Sequence, residues 1–285
     1  MGIKKRLEQK VGEEPSKLAD IAVEEPIKKT SRLDFDAETE FGQEGWQKMI
    51  GIYEDDCNRE FFSSAIAEAV YIKILFPNRV DKLDLEEKWE KMMEGYKKYC
   101  SDNNWSNAAV RAMRLKILFP DKVGELKLEE QWEDMKGWYE IKCAGGEWVT
   151  ILEMAKKLKI LFPERVKELG LDSGLKWNGI KARCEMYCRM KRWVDFLNVA
   201  ADIKIVFPNK IKELDLEERW KEIKKEYDID SQNSSWEVVI KHAANLKILA
   251  AKEVKITDQG LELVMGGEEG FEDKIPDRPE RLVYE

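Results

Sequence analysis

The chain has 285 residues, of which 43% are hydrophobic and 37% are charged. Its formal net charge of −8 makes it a poor general binder of nucleic acid or anionic lipid. No stretch approaches the roughly 18 consecutive apolar residues of a membrane span, and the charged start MGIKKRLEQK predicts no secretory signal.

The first segment, residues 1–35, has mixed charge and contains Pro15 and Pro26. The residues from Ser16 to Val23 have the pattern of a short amphipathic helix that could cap a larger domain. We therefore expect residues 1–35 to be an N-terminal segment that is partly mobile or forms a capping helix.

Residues 36–265 contain an internal repeat. The phrase IKILFPNRV at 72–80 returns as LKILFPDKV at 115–123, LKILFPERV at 158–166 and IKIVFPNKI at 203–211, with a degenerate copy, LKILAAKEV, at 246–254. The steps are 43 or 45 residues, and nine of the ten tryptophans recur in two columns with the same steps. A shared step in several columns indicates a repeat domain of about five units.

Each unit has the apolar spacing of two helices. From Trp105, apolar residues follow at +3, +7 and +10, and from Trp89 they follow at +3, +7 and +11. The proline of each Phe-Pro ends one helix and can open a short helical turn. One unit cannot bury its apolar face alone, whereas stacked units can. The sequence therefore predicts an all-α fold, an α-solenoid of about five 43-residue helical-hairpin repeats.

This period and layout resemble HEAT/armadillo-like helical repeats, whose units have about 40–47 residues. The resemblance covers the repeat region and implies a stack of helical pairs. It implies no particular activity, and no functional residue is taken from it.

The chain ends in an element of different composition. The last repeat lacks Phe-Pro and continues into KITDQGLELVM, which we expect to be a terminal capping element. Residues 266–285 form an acidic C-terminal tail with three basic and seven acidic side chains, a charge of 3 − 7 = −4. High charge and few apolar residues predict that this tail is disordered.

The cysteines and the single histidine favour packing over metal chemistry. Cys57, Cys100, Cys143 and Cys188 are separated by the repeat step, so each lies in a different unit. Zinc would require thiolates within about 2.3 Å of one ion. We expect no metal and no cofactor, and we expect His242 to be a surface or packing residue.

A column of lysines occupies the last turn before each Phe-Pro. Its members are Lys73, Lys116, Lys159, Lys204 and Lys247, and it is called the lysine column below. Such a column could contact an acidic peptide or a phosphate backbone. The alternative, which we favour, is local: cations at a helix C-terminus offset its dipole, and lysine stems cover apolar surface.

The pattern as a whole predicts a non-catalytic protein-interaction scaffold or adaptor, because repeats explain nearly every notable residue. Residues that break the period, Trp138, Arg189, Lys191 and Arg192, join the lysine column as candidate contacts with a protein or peptide partner. One alternative is a nucleic-acid-associated repeat protein, and another is a regulatory subunit of an enzyme complex. The odd number of cysteines favours a reducing, cytoplasmic location.

Overall fold

The computed structural model describes residue 33 and residues 35–171, 174–257 and 260–265. It confirms an all-α helical-repeat solenoid with one short β-hairpin at its end. The expected N-terminal capping helix and the acidic tail at 266–285 lie outside the described residues.

Each unit consists of a first helix and a second helix that packs against it. The helices are α1 (Ala37–Asn58), α2 (Phe62–Leu75), α3 (Leu85–Ser101), α4 (Trp105–Leu118), α5 (Leu128–Gly145), α6 (Trp148–Leu161), α7 (Gly174–Arg189), α8 (Trp193–Val206), α9 (Leu216–Asn233) and α10 (Trp236–Ala250). The even-numbered helices are called inner helices below, and the odd-numbered ones outer helices.

Short 3₁₀ segments connect one unit to the next. They span Pro77–Leu83, Pro120–Leu126, Pro163–Leu169 and Ile211–Leu214. The first three begin at the proline of Phe-Pro, as the sequence predicts. Asp84, which precedes α3, adopts a left-handed conformation, and its side chain makes no cap hydrogen bond.

The solenoid closes on itself. Each inner helix packs against the inner helix of the next unit, and α10, the last, packs against α2, the first. Each outer helix packs against two neighbouring inner helices, and α1 accordingly contacts both α2 and α10. The outer layer also meets across this junction, where the ring of Phe35 stands edge-on to that of Tyr227, with 6.2 Å between centroids. Residues 33–265 therefore contain a closed ring of five inner helices surrounded by five outer helices.

The repeated small and aromatic residues make the core. The alanine column of the inner helices, Ala69, Ala112, Ala155, Ala200 and Ala243, has no exposed surface, as close helix packing requires. The tryptophan of an outer helix meets the phenylalanine of its own Phe-Pro, as in Trp89–Phe119 and Trp132–Phe162, both with centroids 4.8 Å apart. Trp46, Trp89, Trp132 and Trp177 are buried, so this column points inward as their helical spacing indicates.

The expected capping element is an antiparallel hairpin of β1 (Glu253–Thr257) and β2 (Gly260–Val264). It reaches across the end of the ring to α4 and α6. Contact with Lys116 and Ile117 places it at the C-terminal ends of the inner helices. We call this end of the ring the hairpin end, and the opposite end, where outer helices turn into inner helices, the turn end.

Candidate functional site

The lysine column joins neighbouring units. Each ammonium donates a hydrogen bond to a backbone carbonyl at the C-terminal end of the adjacent inner helix. The bonds are Lys73 to Ile117 (2.5 Å), Lys116 to Leu161 (3.2 Å), Lys159 to Val206 (3.0 Å), Lys204 to Leu249 (2.6 Å) and Lys247 to Leu75 (2.6 Å). The last of these connects the fifth unit to the first. These contacts are those of the local interpretation, in which a cation satisfies helix-terminal carbonyls and offsets the dipole.

Burial changes the acidity of these lysines. Desolvation lowers the pKa of Lys204 to about 8 and lowers the pKa values of Lys73 and Lys247 as well. Lys116 is buried, with only 4% of its surface exposed. The other four lysines are half-buried, so the ammonium groups of the column point to neighbouring helix ends, and its contact with a partner stays a prediction.

The other predicted contact residues lie toward the turn end. Trp138 on α5 is half-buried, with the ammonium of Lys142 5.4 Å from its ring centroid. Arg189 is exposed at the end of α7, and Lys191 and Arg192 are exposed in the turn that leads to α8. Arg192 is held locally, because its Nε donates to Asp195 at 2.6 Å.

Large exposed apolar side chains occur at the same end. Ile141 near the end of α5 is 69% exposed, Met190 in the α7–α8 turn is 57% exposed, and Phe61 in the α1–α2 turn is 57% exposed. We define the turn-end surface as Trp138, Ile141, Arg189, Met190, Lys191 and Arg192. It combines apolar side chains with basic ones on α5, at the end of α7 and in the turn that follows α7.

The cysteine column remains distributed among the units. All five cysteines are free thiols, and burial raises the pKa values of Cys57, Cys100 and Cys184, to about 12 for Cys184. Within the described ranges, no three His, Cys, Asp or Glu side chains are grouped so as to hold a metal ion. His242 is buried on α10.

A cavity of about 250 Å³ lies among the inner helices. All five inner helices line it, and Leu261 of β2 contributes from the hairpin end. One repeat column forms its lower wall: Ile74, Ile117, Ile160, Ile205 and Ile248, called the isoleucine floor. Nearer the turn end, Ser64, Asn107 and Val238 in the first turns of three inner helices are exposed. The cavity thus has an apolar, covered end and an end with exposed residues.

The walls between these ends are polar and differ in every unit. The column one turn above the floor, called the middle level, is Tyr71, Arg114, Lys157, Asp202 and Asn245. Lys156 also lines the cavity, and its ammonium lies 2.5 Å from Asp202. Glu153, Asn198 and Lys241 line it closer to the turn end.

Burial and the charges of their neighbours shift the pKa values of these groups. Burial lowers the pKa of Arg114 and the pKa of Lys157. For Lys157, Glu153 and Asp202 raise the pKa while Lys156 and Arg114 lower it, and the net shift is downward. For Lys156 burial is the largest single influence and lowers the pKa. Asp202, with smaller contributions from Tyr71 and Glu153, outweighs it, so the net pKa is raised.

None of these cavity residues was identified from the sequence. A signal was present: charged residues at 114, 156 and 157 interrupt otherwise apolar inner helices. The repeat shows which positions are equivalent, but it does not show which of them face a common axis until the ring is known to close.

Two further observations bear on the class of protein. In the part of the chain that the structure describes, no helix combines the length and apolar character needed to cross a membrane. Comparison with protein-family models, with curated proteins and with solved structures found no match to this chain.

Proposed function

We propose that this chain is a non-catalytic binding protein, a scaffold or adaptor that contacts a protein partner through the turn-end surface. The supporting observation is the exposure of large apolar side chains beside basic ones at that end. Ile141 and Met190 each leave more than half of their surface in water. Exposed apolar side chains with a polar rim are typical of protein interaction sites.

The charges at this surface favour a particular kind of partner. Arg189 and Lys191 are exposed, and no side-chain hydrogen bond or ion pair joins them to other described residues. Exposed apolar side chains accompanied by basic ones are complementary to a protein segment whose apolar side chains are flanked by Asp or Glu. The partner that we propose therefore has an acidic, amphipathic surface.

The test uses the double variant Ile141→Asp, Met190→Asp and the control Asn78→Asp. Asn78 is exposed at the hairpin end, so the control adds negative charge away from the proposed surface. A photo-crosslinker at Ile141 should capture a discrete partner from native lysate, and a crosslinker at Asn78 should not. The double variant should lose that partner in a pull-down, and the control should retain it.

Equal recovery of the partner by the double variant, or crosslinks at Asn78 as strong as those at Ile141, would contradict the proposal. If the partner recovered is an enzyme whose activity changes on binding, the regulatory-subunit alternative gains support.

The nucleic-acid alternative depends on the basic turn at Arg189, Lys191 and Arg192, since the ammonium groups of the lysine column donate to backbone carbonyls. The net charge of −8 weighs against it. An electrophoretic shift at low salt that weakens steeply with added salt would favour it over a protein partner. The cytoplasmic location stays a prediction, supported by the five free cysteines.

A further inference from the structure

The central cavity carries more positive than negative charge. Its lining includes four cations, Arg114, Lys156, Lys157 and Lys241, and two carboxylates, Glu153 and Asp202. Their formal sum is 4 − 2 = +2. Asp202 is engaged by Lys156 at 2.5 Å. Among the described residues no ion pair joins Arg114 or Lys157 to a carboxylate.

The position of these charges is unfavourable for an empty ring. A cation that is removed from water destabilises the folded state unless a partner compensates. Burial lowers the pKa values of Arg114 and Lys157, as this cost requires. Glu153 and Asp202 raise the pKa of Lys157, but burial together with the charges of Lys156 and Arg114 outweighs them. A buried anion between Arg114 and Lys157 would offset both contributions.

The residue types at the middle level vary among the units, which indicates that packing alone does not determine them. The isoleucine floor, the alanine column and the lysine column each keep one residue type in all five units. The middle level has five different residues, although it lies between these uniform columns along the same helices. Surface positions also vary in repeats, but these side chains line a common cavity, and they are half-buried or, for Asp202, buried. Such variation is typical of a site that fits one asymmetric ligand.

We propose that the central cavity binds a small molecule carrying a phosphate monoester, with the phosphate held between Arg114 and Lys157. Arginine, through its forked guanidinium, and lysine are the side chains that commonly bind phosphate groups. A phosphomonoester carries about −1.5 to −2 charge at pH 7, which matches the excess of two positive charges. The first turns of the five inner helices surround the entrance, so their dipoles also favour an anion.

The shape of the cavity sets the rest of the ligand. The isoleucine floor and Leu261 close the hairpin end with apolar surface. A volume of about 250 Å³ accommodates a phosphate with a small body, and a nucleic-acid strand could not pass the floor. Tyr71, Asn198 and Asn245 supply hydroxyl and amide groups for polar atoms of the body. This site is separate from the turn-end surface and does not depend on the proposed function.

Isothermal titration calorimetry of the full chain tests the proposal, with inorganic phosphate and phenyl phosphate as probes and succinate and phenol as comparisons. Phosphate and phenyl phosphate should each bind one site, and phenyl phosphate should bind more tightly because its ring can cover apolar wall. Phenol should not bind measurably. Succinate should bind at least about tenfold more weakly than phenyl phosphate.

Variants then locate the site. Lys157→Gln and Arg114→Gln should each weaken phenyl phosphate binding about tenfold or more, as expected for loss of a charge-assisted hydrogen bond. Lys97→Gln is the matched control, because Lys97 is exposed on α3 and lies outside the cavity lining. Arg114 also donates to the Ser63 carbonyl at 3.2 Å, so Lys157→Gln is decisive if the arginine variant does not fold.

Three results would overturn the proposal. One is the absence of binding by both phosphate probes at millimolar concentration. Another is succinate binding as tight as that of phenyl phosphate, which would assign the site to carboxylates. The third is equal weakening by Lys97→Gln and Lys157→Gln, which would indicate a general effect of charge.

Discussion

At the scale of single residues, a few positions affect the stability of the fold in ways that neighbouring positions do not. Glu68 on α2 is a buried carboxyl, 4% exposed, at a column where the other units place arginine, methionine, valine and histidine. Burial raises its pKa to about 8, and the acidic groups of Asp56 and Glu237 contribute to the shift. The carboxyl is therefore largely neutral at pH 7 in the folded ring.

The first prediction follows from that pKa. Between about pH 4.5, the ordinary value, and about pH 8, the folded chain retains a proton on Glu68 that the unfolded chain releases. The contribution of this group to stability is complete below that window and is lost as pH rises through it. Glu68→Gln cannot titrate, so the variant should gain stability relative to wild type from pH 5 to pH 9. Urea denaturation at several pH values measures this, and parallel profiles would refute the assignment.

The second prediction concerns Gly260, which begins β2 with φ of +95°. An added Cβ would lie 3.2 Å from the Ile117 Cα and 3.3 Å from the Lys116 carbonyl oxygen. Gly260→Ala should therefore destabilise the protein by about 1 kcal/mol or more, through backbone strain and displacement of the hairpin from α4.

Gly137 provides the matched control for this change. It lies within α5, and an added Cβ there would meet no atom within 4 Å. Gly137→Ala should stabilise by about 0.5–1 kcal/mol, because alanine favours helix. Chemical denaturation compares the two variants. A stabilising Gly260→Ala would show that the hairpin does not pack on α4 as described.

At the scale of elements, the sequence predicted much and missed what depends on geometry between units. The helical pairs, the prolines that begin 3₁₀ segments and the inward tryptophans follow from local spacing. The hairpin could not be predicted from local spacing, because the strands at 253–257 and 260–264 are short and follow a degenerate repeat. Closure of the ring also escaped prediction, since it requires the rotations between neighbouring units to sum to one full turn over five units. The cavity residues were missed for the same reason.

The third prediction tests the junction between the last and first units. Lys247 donates to the Leu75 carbonyl at 2.6 Å across that junction. Lys247→Met preserves much of the apolar stem but leaves the carbonyl without this donor. It should lower the free energy of unfolding by about 1–3 kcal/mol. Lys97→Met, on the exposed surface of α3, should have little effect. If both variants denature like wild type, the junction contributes nothing through this lysine.

At the scale of the whole ring, closure removes the free terminal units at which linear solenoids open first. In a linear stack each repeat contacts only its neighbours, and the end repeats have one neighbour each. Here α2 and α10 each contact two inner helices, as α6 does.

The fourth prediction is that α2 and α10 exchange their amide hydrogens no faster than α6. Under native conditions the slowest amides of all three helices should require the same free energy of opening. Native-state hydrogen exchange followed by mass spectrometry measures this. Opening of α10 at markedly lower free energy than α6 would mean that the junction is weak and that the chain behaves as a linear stack.

The meeting of α10 with α2 also limits how such a protein can change in length. An open array gains or loses one repeat and keeps every remaining interface. A closed ring of five units cannot, because a sixth unit would require a different angle at every interface and a wider central cavity. Duplication of a single 43-residue segment, harmless in an open array, would here have to be accommodated by all the others at once.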